Sequence, residues 1–278
     1  MAPLKFLTPE QKQFWQDNGY IKLSNVFSLK EINEISDAYT ELFERKYRIH
    51  QSEGLEARWS GEEMKKLAGD VGDYTVRSIH NLQMHNAVFT RTIMHPNLLD
   101  ALEDVMDTTD ILLHHTKAHV KPPEKGAPYL MHQDYHYFPF KKHSMMAVFL
   151  HLDDTTPENG GLAVYPGSHK LGPLEDHAPK EAADGKGEQF HWVDPKKYPL
   201  SKAVPISAKK GEVIIFSYLL LHGSYLNLSD RNRRMFLIQV RAADDEPVED
   251  VHNSLCQNMV LRGKNVNSDA SYINRYTH

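Results

Sequence analysis

From Ile111 onward the chain is written in short apolar runs. "ILLHHTKAHVK", "MMAVFLHLDD", "GGLAVYPGSH", "EVIIFSYLLLHGS" and "MFLIQVRAAD" are rich in β-branched or aromatic residues, and Gly, Pro, Asn and Asp punctuate the stretches between them. This spacing predicts strands joined by tight loops. The residues before Asp110 read differently. In "LTPEQKQFWQDNGYIKLSNVF", Thr8 is an N-cap, Pro9 takes the first helical position and Gln11 completes a capping box. The helix should stop near Gly19, and "YIKLSNVF" then reads as a strand. Ser28 and Glu31 repeat the device in "SLKEINEISDAYTELFERKY", where Ile32, Ile35, Ala38, Tyr39, Leu42 and Phe43 keep helical spacing. A third helix fits "HPNLLDALEDVM", with Pro96 near its start. Helices followed by many strands predict a mainly β protein, a sandwich or barrel core with N-terminal and flanking α-helices outside it. No internal repeat is visible. The polar stretch 174–189 reads as a mobile loop within the core, because strand patterning resumes beyond it.

Composition narrows the function classes. A net charge of −5 and 25% charged residues lack the basic footprint of a general nucleic-acid binder. One cysteine, Cys256, excludes an intrachain disulfide framework and a cysteine-rich zinc site, and it reads as structural. No window reaches the ~18 apolar residues of a membrane span, the N-terminus lacks a secretory run, and "RYTH" is not a peroxisomal address. A soluble, cytoplasmic protein with no membrane association and no evident obligate protein partner is the expectation from missing signals. The 278 residues are expected to form one domain: a helical part over about 1–109, a core over about 110–243 and a C-terminal extension over 244–278.

Seventeen histidines are many, and most of them lie between His114 and His222. In "MHQDYHYFPF", His132, Asp134 and His136 would share one face if the segment is extended, because strand side chains repeat every two residues. An imidazole and a carboxylate on one face can meet a metal ion, and a third ligand must come from elsewhere. His222 is a candidate, following an apolar run that should be a buried strand. Taken alone, such a residue is more often a satisfied core histidine. Eleven residues on, Arg233 opens a strand in which Arg233, Met235, Leu237 and Gln239 share one face and Arg234, Phe236, Ile238 and Val240 the other. Two histidines and one carboxylate with open positions are typical of non-haem Fe(II) oxygenases, and an arginine suits a carboxylate bidentately.

These segments resemble the phytanoyl-CoA dioxygenase family of Fe(II)/2-oxoglutarate oxygenases. "HQDYHYFPF" is similar to its metal-binding strand, "PENGGLAVYPGSHK" to its Asn-Gly…Pro-Gly-Ser-His segment, and "LHGSYLNLSDRNRR" to the segment carrying the distal histidine and the arginine; "KPP" at Lys121 to Pro123 adds to the match. The resemblance implies a double-stranded β-helix (jelly-roll, cupin-like) core. It also implies His132, Asp134 and His222 as iron ligands and Arg233 as the seat for the distal carboxylate of 2-oxoglutarate. Gln133, Lys117 and Ser224 are further candidates for contact with this co-substrate. By strand alternation Gln133 should point away from the iron; the family places this residue near the co-substrate. The implied reaction consumes O2 and 2-oxoglutarate, releases succinate and CO2, and hydroxylates a small-molecule substrate, with ascorbate as a reductant. An acyl-CoA ester and a small anionic metabolite are both open as substrates. Leu150 stands where the family's name-giving enzyme has tryptophan, which implies different packing near the co-substrate. The phenylalanines of "YFPF" are placed as an apolar wall beside the iron. Lys121, Lys125, Lys141, Lys142 and His143 read as a solvated basic rim. Two other classes remain: a non-catalytic metal- or 2-oxoglutarate-binding jelly-roll, and a cupin-type zinc or manganese enzyme using His132, Asp134 and His136. The second leaves Arg233 without a role.

Overall fold

The computed structural model describes residues 3–48, 56–58, 75–124, 126, 128–177, 191–249 and 253–266. Helix α1 (Pro9–Asn18) starts with the expected reciprocal box between Thr8 and Gln11 and ends at Gly19, whose φ of 76° is left-handed. Helix α2 (Leu29–Arg48) starts with the Ser28/Glu31 box. Pro96 opens the helix Pro96–Met106. A short helix, Ala87–Ile93, capped by the Asn86 side chain, was not expected from the sequence. We number these last two α4 and α3 respectively.

Strands β1 (Tyr20–Leu23), β2 (Glu56–Arg58), β3 (Thr75–His80), β4 (Ile111–Lys121), β6 (Met146–His151), β9 (Val213–Ser217), β11 (Arg233–Ala242) and β12 (Val260–Arg262) form the larger sheet. Its order is β1-β9-β6-β11-β4-β3-β2, with β12 also paired to β4. The smaller sheet contains β5 (Tyr129–His132), β7 (Leu162–Val164), β8 (Val204–Ile206) and β10 (His222–Ser224), in the order β5-β10-β7-β8. Every pairing is antiparallel, and the two facing sheets make the jelly-roll.

Alternation sorts the side chains of the larger sheet onto two cores. Val148, Leu150, Val213, Ile215, Phe236, Ile238 and Val240 face the helices, packing with Tyr39, Leu42, Phe89 and Leu102. Ala147, Ile214, Phe216, Met235 and Leu237 face the smaller sheet and meet Leu162 and Val164. Burial of this apolar surface, at about 25 cal/mol per Å², is the main force holding helices and sheets together. Specific bonds fix the register. The Tyr39 hydroxyl donates to the His119 and Met235 carbonyls, tying α2 to β4 and β11. Buried Asp104 accepts the backbone N–H groups of Lys5, Phe6 and Leu7, anchoring the segment before α1.

Three expectations need correction. "EVIIFSYLLLHGS" is not one strand: the chain leaves the larger sheet after Ser217 and enters the smaller one at His222. Between them, Leu220 donates its N–H to the Ser217 carbonyl in a turn, and Tyr218 and Leu221 are buried there. Regular strand in "YIKLSNVF" ends at Leu23, ahead of Asn25 at a φ of 60°. The expected helical part and the C-terminal extension both add strands to the larger sheet, through β1, β2, β3 and β12. Of the stretch 174–189, residues 178–189 lie outside the described residues.

Candidate metal centre

His132 ends β5 and His222 begins β10, and the two are direct partners across the antiparallel pair. Their rings therefore emerge on one face, with centroids 4.2 Å apart. Each ring is oriented by the backbone. His132 Nδ1 donates to the Leu130 carbonyl at 2.7 Å, and His222 Nδ1 donates to the Leu220 carbonyl at 2.9 Å. A carbonyl only accepts, so both Nδ1 atoms carry the proton and both Nε2 atoms are turned inward. Asp134 Oδ1 lies 3.6 Å from His132 Nε2 and 3.5 Å from His222 Nε2. These spacings exceed ordinary hydrogen bonds, as expected of three atoms converging on a shared point. All three residues are buried, and their ligand atoms lie within 4.8 Å of one another.

Electrostatics support the cluster. Burial pushes the Asp134 carboxyl up, but His222 and His132, when protonated on Nε2 as well, outweigh it and hold the group below its ordinary value. Burial, then the neighbouring His222, lowers the His132 pKa, favouring the neutral imidazole that a metal requires. The second carboxylate oxygen, Oδ2, accepts from Gln239 Nε2 at 2.7 Å, which leaves Oδ1 to point at the imidazoles.

The extended reading of "MHQDYH" holds only as far as Asp134. Gln133 is extended, with φ −114° and ψ 136°, so His132 and Asp134 do share a face; Asp134–His136 then forms a 3₁₀ turn. His136 therefore leaves the ligand face. It lines the adjoining cavity and stacks on His191. Gln133 is not brought to the cavity: its Nε2 donates to the Leu219 and Gly172 carbonyls, and its Oε1 accepts from the Leu174 N–H. Alternation turns it outward, and three of its four amide hydrogen-bond positions then hold loops.

A cavity of about 520 Å³ extends from the cluster between the sheets. Lys117, Ser224 and Arg233 line it, as do Met235, Leu237 and Gln239, so the inner face read for β11 is the cavity wall. Arg233 is buried at 4% exposure, yet its Nε has no hydrogen-bond partner and the guanidinium forms no ion pair among the described residues. Burial lowers its pKa to about 10. A buried cation without a counterion is costly, and an anion entering the cavity would remove that cost.

Other residues fall differently from their sequence reading. Leu150 faces the helices, and Phe149 holds the cavity position on β6, because successive strand residues alternate. Phe138 lines the cavity, whereas Phe140 packs away from it against the Arg241 guanidinium. The basic rim dissolves into separate roles. Lys121 is 1% exposed, Lys141 and Lys142 pair with Glu246 and Asp244, and His143 bonds to the Tyr218 hydroxyl; Lys125 lies outside the described residues. Cys256 is exposed, with its sulfur 3.3 Å from that of Met84.

Known proteins share this architecture. The family model for phytanoyl-CoA dioxygenase (PhyH) matches residues 15–235. A Stutzerimonas stutzeri protein named "Probable alpha-ketoglutarate-dependent hypophosphite dioxygenase" is 28% identical over 259 residues, covering 86% of this chain and 80% of its own. The peroxisomal phytanoyl-CoA dioxygenase of Homo sapiens is 26% identical over 248 residues, covering 86% and 69%. Among solved structures, the non-heme alpha ketoglutarate dependent carbocyclase SnoK superposes with a TM-score of 0.68 at 22% identity, over 93% of this chain and 94% of that one. EvdO2 from Micromonospora carbonacea, complexed with 2-oxoglutarate, gives 0.63 at 19% identity, over 91% and 97%. The jelly-roll and its buried His–Asp–His cluster are those of a 2-oxoglutarate-dependent non-haem iron dioxygenase. By the match over residues 15–235, the chain belongs to the phytanoyl-CoA dioxygenase family.

Proposed function

We propose that the protein hydroxylates an aliphatic carbon of a small-molecule substrate, with His132, Asp134 and His222 holding Fe(II) and Arg233 seating the distal carboxylate of 2-oxoglutarate. The observation that carries this reading is the pairing of one unsatisfied cluster with another in a single cavity. Three inward-facing ligand atoms lie at one place, and a buried arginine with no counterion among the described residues lies at another. Two imidazole nitrogens and one carboxylate oxygen suit ferrous iron and leave positions for other ligands. With Fe(II) bound there, 2-oxoglutarate and O2 supply oxidative decarboxylation to succinate and CO2, coupled to insertion of one oxygen atom into a substrate C–H bond.

The chain's own residues set the conditions. The Leu130 and Leu220 carbonyls fix both histidine tautomers, and Gln239 occupies Asp134 Oδ2, leaving Oδ1 toward the imidazoles. Phe138, Phe149, Met235 and Leu237 exclude water from the inner wall. Ser224 lines the same cavity as Arg233, and Lys117 adds a cationic side chain midway along β4. His136 and His191, on the far side of the 3₁₀ turn, are placed to meet the primary substrate; His191 is fixed by a 2.6 Å bond from Nδ1 to Asp176. The cavity suits a small metabolite, or the reacting end of a longer one.

Succinate formation by the purified protein with Fe(II), ascorbate and 2-oxoglutarate tests the reading across a panel of acyl-CoA esters and small anionic metabolites. Succinate rising with one member would support it and name the substrate class. Iron bound without succinate above the no-enzyme baseline, with or without substrate, would favour a non-catalytic binding protein. The His136→Ala variant separates the cupin-type alternative: stoichiometric Fe(II) binding is expected to survive, and its loss would favour that alternative.

A further inference from the structure

Lys121 ends β4 directly opposite Arg233 in the register of β11, so both side chains enter the same side of the sheet. Both are buried, at 1% and 4% exposure. Lys121 Nζ donates to Ser224 Oγ at 2.7 Å and to the Tyr225 carbonyl at 2.6 Å, and lies 5.5 Å from the centre of the Tyr129 ring. No described carboxylate pairs with it. Its stem runs in a groove bordered by two residues without side chains. A Cβ on Gly160 would lie 2.7 Å from Lys121 Cδ, and one on Gly126 would lie 2.8 Å from Lys121 Cβ. Gly160 also has a φ of +86°, a conformation costly for other residues. Gly126 and Gly160 thus border the stem of one buried lysine, whose amine donates to Ser224.

We propose that Lys121 is a positioning residue of the 2-oxoglutarate pocket, acting through Ser224. By donating to a lone pair of the serine oxygen, it turns the Ser224 O–H into the cavity. There the hydroxyl and the Arg233 guanidinium receive the distal carboxylate as a matched donor pair. The inference rests on the reading of Arg233 as the seat of that carboxylate. A buried lysine is expensive to desolvate, and here two glycines clear the groove that brings its amine to Ser224.

Calorimetric titration of 2-oxoglutarate into Mn(II)-loaded protein tests this, with Mn(II) affinity measured alongside. Lys121→Met should weaken 2-oxoglutarate binding roughly 10- to 100-fold, the worth of a hydrogen bond to a charged group, and leave Mn(II) affinity unchanged. Ser224→Ala should lose a similar factor, and the double variant should lose no more than the greater single loss. Unchanged binding in Lys121→Met, multiplicative losses in the double variant, or a parallel loss of Mn(II) affinity would each overturn the proposal. If Lys121→Met does not fold, Lys121→Gln keeps an N–H donor group and is expected to give a smaller loss with the same non-additivity. Arg233→Leu is the control for the underlying reading. If it too binds 2-oxoglutarate normally, the fault lies with the assignment of the seat and not with Lys121 alone.

Discussion

Arg233 and Arg234 are neighbours on β11 and project from opposite faces of it. On the outer face, Arg234 makes a two-pronged bond to Asp153, at 2.7 and 3.0 Å, and a third bond to Thr40. On the inner face, Arg233 is more deeply buried and has no carboxylate partner among the described residues. The outer arginine is a structural clamp between β11, the loop after β6 and α2. The inner one has an unpartnered Nε and lines the cavity, which is the ground for proposing it as the seat of a carboxylate. The arginine that is paired holds the structure together, and the one without a described partner faces the cavity.

The largest expected effect breaks the inner side. Arg233→Leu should weaken 2-oxoglutarate binding by 30-fold or more, since losing one partner of a buried charge pair costs about 2–5 kcal/mol. The melting temperature should hold or rise, because an uncompensated cation is removed. Calorimetry and thermal unfolding together check this.

A smaller effect is expected where the metal cluster is braced. Gln239→Leu removes the donor to Asp134 Oδ2 and should lower Fe(II) affinity about 10- to 100-fold. A competition titration under anaerobic conditions would show it, and an unchanged affinity would mean that the brace does not orient the ligand.

Arg234→Leu sharpens the contrast from the other side. It should cost about 1 kcal/mol of stability, discounted for its part-exposed pair, and leave 2-oxoglutarate affinity unchanged. Denaturant unfolding measures the first and calorimetry the second.

The mildest signature is in pH. His151, the last residue of β6, is held down to about 3 by burial, then by the positive charges of Arg233 and Lys22. Its folded pKa lies below the ordinary value of 6.5, so the unfolded chain binds more protons between those limits. Stability is therefore full above about pH 6.5 and falls progressively as pH drops toward 3. Unfolding curves at stepped pH should flatten on this limb in His151→Leu.

Much of this was legible in the sequence because the signals were local. Capping boxes at Thr8/Gln11 and Ser28/Glu31, the stop at Gly19 and the bounds of β4 need only neighbouring residues. The two faces of β11 followed from a period of two. What escaped depends on contacts distant in sequence. β3 is held by pairing with β4 across more than thirty residues, and the Val213–Leu221 run changes sheets with no break in hydrophobicity. The ligand triad came from resemblance; only the structure places His132 opposite His222. Gln239 sat on the right face, but its partner is 105 residues away. Lys121 read as a rim charge because nothing local announces a buried lysine; Gly160, which clears the groove for its stem, is brought to it only by the fold.

The central claim is that the His–Asp–His cluster and Arg233 are two ends of one centre. Anaerobic calorimetric titration of 2-oxoglutarate into wild-type protein and Asp134→Ala, each with and without Fe(II), tests it directly. The expected result is tight one-site binding by wild type that depends on Fe(II), with the Fe(II)-dependent gain lost in Asp134→Ala. Binding of equal strength with and without Fe(II) in the wild type would contradict the claim, separating the arginine's ligand from the metal.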